Sequence, residues 1–298
     1  MSPNQEVSVR FYPPPEDLRR YFTTFYVADF SPVADQPLCD SLQPEWAGMR
    51  FFEQQGPEAW VEGGEVLKGV KFFASGPSSL PTHFIMPRTR MWGIGFLPLG
   101  WARYVGYNAS IAANLICDGR EDARLAKFLP LANMVFAKDQ DEAAELERII
   151  AFFRTIEAPP HPDEKRILAV HGALVDETLT TVGELVKRVA ASQRTVERIC
   201  ARHFGFAPKL LLRRQRFMRS LAQFMLDPSL KWIGAMDSHY HDQAQFVRDF
   251  REFMGVSPRE YAATPHPILT PIMQERNRVY GTPVQTLDRP DRTDPRAA

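Results

Sequence analysis

The chain has 298 residues, 44% of them hydrophobic and 24% charged, which is globular composition with room for two ordinary cores. Basic and acidic side chains number 36 each, so net charge alone argues neither for nor against a nucleic-acid partner. No run of about 18 apolar residues offers a membrane span, and the opening "MSPNQEVSVRFYPPP" lacks the apolar core of a signal peptide, so the expected compartment is the cytoplasm.

In chain order, "MRFFEQQ", "AWVEGGEVLKGVKFFASG", "THFIMP" and "MWGIGF" predict short strands rich in aromatic and β-branched residues, broken by Gly and Pro. The aromatics Phe51, Phe52, Trp60, Phe72, Phe73, Trp92, Phe96 and Trp101 fall in or beside these strands, as the core of a β-domain or the lining of a ligand pocket. "DQDEAAELERIIAFFRTI" follows as a helix with the acidic start a helix N-terminus favours. The first half is thus expected to be a small β-sheet or barrel-like unit with helices, over residues 1–157. Cys39, Cys117 and Cys200 lie far apart without a CxxC pair, so reduced thiols are expected rather than zinc or thioredoxin-like chemistry.

"IEAPPHPDEK" interrupts the helical pattern with Pro159, Pro160 and Pro162 and predicts an extended linker at 158–164. Beyond it the pattern is nearly all helical, giving an α+β chain whose second domain, 165–264, is all-α. "DEKRILAVHGALVD" and "TVGELVKRVA" are the first two helices; Thr181 and Glu184 form a capping box. A third helix starts at Ser192, and a fourth runs from about Pro208 to Leu226. In the extension 265–298, Thr270, Pro271 and Gly281 predict the cap, first-turn proline and stop of one more helix, with disorder expected after Gly281.

One offset recurs. Ser192 and Asp242, Val196 and Phe246, Arg198 and Arg248, Cys200 and Phe250, Gly205 and Gly255, and Pro208 and Pro258 all differ by 50. Each copy opens on an N-cap residue, carries an apolar stripe at four-residue spacing, and ends on a Gly suited to a left-handed stop. Asp242 has Gln245 three residues on as a capping-box partner. A helix and a tight turn precede each copy, which is the helix-turn-helix arrangement, with recognition helices expected at 192–204 and 242–254. The connecting helix would span about 27 Å, close to the roughly 34 Å between successive major-groove faces.

Charge follows the same division. Residues 1–160 hold 15 basic and 20 acidic side chains, leaving 21 and 16 for 161–298, so the halves carry −5 and +5. From Lys187 to Arg219, ten basic residues oppose Glu197 alone, a phosphate-seeking balance of +9. Between Asp227 and Glu260 the balance reverses to four basic against six acidic.

This arrangement resembles the DNA-binding domain of the AraC/XylS family of bacterial transcription regulators, over roughly Ala169 to Ala263. "SQRTVERIC" with Gly205, Pro208 and Arg216, and "YHDQAQFVRDFREFMGVSPREY", carry the resemblance. It implies a sequence-specific regulator that is not an enzyme, whose N-terminal half senses a small molecule or dimerises. "FASGPSSLPTHFIMPRTRMWGIGFLPLGWARYVG" also looks like the sensor halves of some such regulators. Candidate partners are double-stranded DNA, a small-molecule effector and a second copy of the chain. In the first recognition helix the candidate base readers are Gln193, Arg194, Glu197, Arg198 and Arg202. In the second they are Gln243, Ala244, Gln245 and Arg248, with Ala244 limited to apolar contact. Lys209, Arg213 and Arg214 are expected at phosphates or solvating the connecting helix, while Phe217, Leu221 and Phe224 read as core.

Where the family has Gly in the second turn this chain has His239, at an expected cost of about 1 kcal/mol in a left-handed turn. The alternative reading is therefore a partner-binding regulator whose second helix-turn-helix is degenerate. His239, His241 and Asp242 form a cluster, but Asp242 is committed as a helix cap and no third spaced ligand accompanies the two histidines; no metal and no cofactor are expected. Nucleophile elbows, phosphate loops and paired-carboxylate motifs are not found.

Overall fold

The computed structural model describes residues 6–33, 36–136 and 141–290. Its N-terminal half is built on strands β1 (Val7–Tyr12), β2 (Phe22–Phe30), β3 (Leu38–Leu42), β4 (Gly48–Phe52), β5 (Glu58–Val61), β6 (Leu67–Lys68), β7 (Phe72–Ser75), β8 (Thr82–Met86), β9 (Thr89–Phe96) and β10 (Ile116–Asp118). They form two antiparallel sheets, a six-stranded one ordered β1-β2-β9-β4-β7-β10 and a four-stranded one ordered β3-β8-β5-β6. The sheets face each other without closing into a barrel. β1, β2, β3 and β10 were not predicted. β2 reads "FTTFYVADF" and is covered on both faces, so polar Thr23 and Thr24 are buried with the apolar residues and the alternation of a half-exposed strand is missing.

Short turns α1 (Pro98–Gly100), α2 (Ala109–Ala112) and α3 (Leu129–Met134) lead to α4 (Glu142–Thr155), capped by Asp141, which lies on the outer face of the large sheet. Asp139 and Gln140, placed at the start of this helix from sequence, lie outside the described residues. Phe153 of α4 stacks among Phe22, Phe25 and Phe96 at centroid separations of 4.5 to 6.2 Å. Aromatic pairs at such distances add to simple area burial.

The helices of the second half are α5 (Glu164–Leu174), α6 (Val182–Val189), α7 (Gln193–Ile199), α8 (Pro208–Leu226), α9 (Lys231–Ala235), α10 (Gln243–Met254), α11 (Pro258–Ala263) and α12 (Leu269–Tyr280). The α6 capping box of Thr181 and Glu184 is present as expected. α9, drawn from sequence as a longer helix, has five residues and begins at Lys231, whose φ of 52° is left-handed.

The cores do not divide at the linker. One buried cluster runs from Leu18 through the large sheet and α4 to Val196, Phe204 and Leu211 of the first helix-turn-helix unit. A second holds Phe217, Phe250 and Phe253 together with Leu269 and Met273 of α12 and Val284 beyond it. A third lies between the sheets and takes in Ile268 and Tyr280.

The C-terminal segment corrects two expectations. Its helix starts at Leu269 rather than after Thr270, and the cap comes from across the molecule: Asp40 of β3 accepts from the backbone N–H of Ile268 at 2.9 Å and of Leu269 at 2.8 Å. Gly281 is the left-handed stop as expected, but residues 282–290 pack against the molecule rather than being disordered, with Val284, Thr286 and Asp288 buried. Residues 291–298 lie outside the described region. Among the described residues, no helix is long and apolar enough to cross a membrane.

Candidate nucleic-acid interface

Two copies of one local design present the candidate face. In the first, Ser192 accepts from the Thr195 N–H at 3.2 Å, α7 runs on through a π turn at Cys200–Phe204, and Gly205 stops it at a φ of +86°. In the second, Asp242 accepts from the Gln245 N–H at 2.6 Å and Gly255 stops α10 at +71°. Val196, Cys200 and Phe204, like Phe246, Phe250 and Met254, are buried as the repeat predicts. Gln245 does not complete a capping box on Asp242; its carboxamide oxygen accepts from His241 N–H at 3.2 Å, one residue earlier.

The turns differ. Ala190 takes the left-handed conformation in the first unit, with a φ of 52°. His239 is not left-handed. Asp237 shapes the second turn instead, accepting from the His239 N–H at 2.9 Å while Arg219 holds its other oxygen at 2.5 Å.

Opposite each buried stripe the candidate readers are exposed: Gln193, Arg194, Glu197, Arg198 and Arg202 on the first helix, Gln243, Ala244 and Arg248 on the second; Gln245 is half-buried by its cap. Gln193 donates to Glu197 at 2.9 Å, and Arg198 reaches Asp163 of the linker at 3.1 Å. That guanidinium is the main reason the Asp163 carboxyl is held down to about 2.

The cations of α8 have unequal fates. Lys209 is exposed. Arg213 pairs with Asp249 and Glu252 of α10 at 2.6 and 2.5 Å, and Arg216 reaches Asp249 at 3.1 Å, so these two tie the second unit to the connecting helix. Together with Thr180, Arg219 and His239 they line a groove of about 310 Å³ between the units. Arg214 is 0% exposed, donates to the Ser78 carbonyl at 2.9 Å and lies 4.1 Å over the Trp46 ring. Burial pushes its guanidinium down to about 9. In this conformation it is out of reach of phosphate, against the sequence expectation.

The segment around Ser78 touches both units. A Cβ on Gly205 would stand 2.6 Å from the Pro77 ring, and one on Gly255 would stand 3.3 Å from Glu62 and 3.8 Å from Pro81. One loop of the β-domain thus meets the ends of both recognition helices and the middle of the helix between them. Nothing local in the sequence signals this.

The His239, His241 and Asp242 group resolves into an Asp237–His239 contact and exposed side chains. A different trio, His161, Asp163 and His203, brings ligand atoms within 4.8 Å of one another. Arg198 and Arg166 already occupy the Asp163 carboxylate, so a dication would compete with two guanidiniums. Burial keeps the His203 imidazole neutral, pushed down to about 4.

Against known proteins, residues 185–264 match the family model described as "Helix-turn-helix domain". No curated protein matches the chain. Among solved structures, ToxT from Vibrio cholerae is similar at 9% identity and a TM-score of 0.44, covering 87% of this chain and 98% of that one. Its unsaturated-fatty-acid-bound form, from strain SCE256, gives 11%, 0.44, 87% and 95% in the same order. The AraC-like transcriptional activator CuxR gives 14% identity and a TM-score of 0.24 over 73% of this chain and 88% of its own.

Proposed function

We propose that the chain, whose C-terminal region carries an AraC-type helix-turn-helix domain, is a sequence-specific DNA-binding transcription regulator with an N-terminal sensor. The observation that carries this reading is the duplicated reading head. Two capped helices in one register, each stopped at a left-handed Gly, are joined by the single 19-residue α8. Such a helix is about 28 Å long, suited to setting two heads into neighbouring major-groove turns about 34 Å apart.

Arg194, Arg198 and Arg202 on the first head supply the guanine-reading and phosphate-seeking chemistry, and Gln193 and Glu197 offer contacts to adenine and cytosine. Gln243 and Arg248 read on the second head, with Ala244 against a thymine methyl. Lys209 anchors phosphate. Dimerisation through the N-terminal half and a cytoplasmic location belong to the same reading. The protein then works by binding and release rather than by catalysis.

The test is binding of the purified chain to DNA from upstream of its own gene against scrambled DNA, across a salt series. Expected is specific binding that weakens with salt and loses about 1–3 kcal/mol of discrimination per base contact in Arg194→Ala and Arg198→Ala. Equal affinity for both DNAs, in wild type and variants, overturns it. A second reading is favoured by one observation: the second unit's acids are spent on Arg213, Arg216 and Arg219, as in a unit kept for packing or partner binding. It predicts that Arg248→Ala leaves DNA affinity unchanged, where the leading reading predicts a loss.

A further inference from the structure

We infer that the cavity between the two sheets binds one small, uncharged, largely apolar molecule carrying a single hydrogen-bonding head. The C-terminal segment and the loop around Ser78 relay its occupancy to the helix-turn-helix pair. The inference rests on the reading of the N-terminal half as a sensor and names what is sensed.

The cavity holds about 90 Å³, somewhat below the roughly 150 Å³ at which a dry engineered cavity takes up benzene. Its walls are apolar: Phe30 and Met91 from the large sheet, Phe84 and Met86 from the small one, and Ile272 and Met273 from α12. Methionine walls yield easily, so a single ring or a short branched chain fits with small rotamer changes. Of the eight aromatics nominated from sequence, only Phe52 and Phe73 reach this space. Gly93 of β9 leaves room for Tyr26, since a Cβ there would stand 2.1 Å from that ring.

Two features choose the ligand's chemistry. Gln43 lines the cavity, is 7% exposed, and its carboxamide oxygen has no hydrogen-bond donor among the described residues. Such an orphaned acceptor is relieved by a ligand O–H or N–H. The charges at the walls, by contrast, pair one to one, although Arg276 Nε is left without an acceptor among the described residues. Arg50 meets Glu45 at 2.5 Å and Arg276 meets Asp288 at 2.6 Å. An anionic ligand would be desolvated without a counter-ion, so a neutral one is selected.

The relay follows from what the walls are made of. Gln285 donates to Glu45 at 2.6 Å, and the hydroxyls of Thr24 and Tyr280 meet at 2.8 Å, so the C-terminal segment closes the cavity as its last wall. Leu269, Met273 and Val284 of that segment also belong to the core under α10. On the opposite side, Gly76 and Ser78 line the cavity and lead into the loop that touches Gly205 and Arg214. Molecules that push either wall outward therefore shift a reading head.

The test uses the full chain with three probes of one size: phenol and benzamide, which are neutral donors, and benzoate, an anion. Calorimetry should show phenol or benzamide saturating one site, with benzoate at least tenfold weaker. Gln43→Leu, close in volume, should weaken the neutral probes on the order of tenfold while leaving the fold intact by circular dichroism. Ala59→Leu, which fills the cavity from β5, should abolish binding. DNA affinity should change on saturation in wild type and not in Gln43→Leu at the same probe concentration. Benzoate binding as tightly as phenol overturns the ligand class, and no saturable binding by any probe overturns the site. Probe binding that leaves DNA affinity unchanged overturns the relay. Loss of the regulator reading is seen separately, as no specific DNA binding in either the probe-free or the probe-saturated arm.

Discussion

At Asp249, one carboxylate that is 2% exposed takes hydrogen bonds from Arg213, Arg216 and Tyr240. Removing it leaves the largely buried Arg216 without a carboxylate and Arg213 with Glu252 alone, and breaking a buried pair this way costs about 3–5 kcal/mol. Asp249→Ala should therefore lower the urea midpoint strongly. Glu252→Ala removes an exposed partner of the same Arg213 and should cost under about 1 kcal/mol. Equal effects from the two would mean that the ion pairs do not hold the unit. At this scale the sequence was informative about direction and silent about partners. The buried stripe of Val196, Cys200 and Phe204 told which side chains face outward, because helical spacing determines facing. That Arg213 meets Asp249 while its neighbour Arg214 meets a backbone carbonyl of the β-domain depends on how whole elements dock, which no local pattern encodes.

The C-terminal helix shows what a single element owes to a distant one. The two N–H groups that Asp40 accepts belong to buried residues, and a helix end buried without such a partner is unstable. Asp40→Ala should cost about 1–2 kcal/mol, as loss of a cap does, and should speed hydrogen exchange along α12 before the rest of the domain. Unchanged protection of α12 would refute the cap. Thr270 and Pro271 pointed to a helix there, and correctly. They misplaced its start because the true cap lies 228 residues upstream. The helix-turn-helix units were legible for the converse reason: their caps, stripes and stops are local. β1 alternates buried and half-buried residues along "VSVRFY" and was readable in principle, whereas β2, buried on both faces, hid its period.

Over the whole molecule, Arg214 marks where the halves meet, a buried cation with a carbonyl and two rings but no carboxylate among its described contacts. Replacing a buried ion pair with hydrophobes of similar volume is often neutral or stabilising, and taking away Arg214 leaves no carboxylate uncompensated among its described contacts. Arg214→Met should melt no lower than wild type, while Arg276→Met, which takes the cation from Asp288, should melt clearly lower. A large fall for Arg214→Met would mean that its hydrogen bond and two ring contacts outweigh its burial.

The Asp40 contact with Ile268 and Leu269 also has a temporal side. Translation delivers the two sheets before the helix that closes them, so the β-domain waits, one wall short, while about 150 further residues, from Asp118 to Ile268, are made. Contacts of such sequence separation form late and slowly. An incomplete nascent chain therefore exposes the inter-sheet surface to chaperones or to its small-molecule occupant before any reading head is finished. For this protein, a helix made after both reading heads completes the domain begun before them.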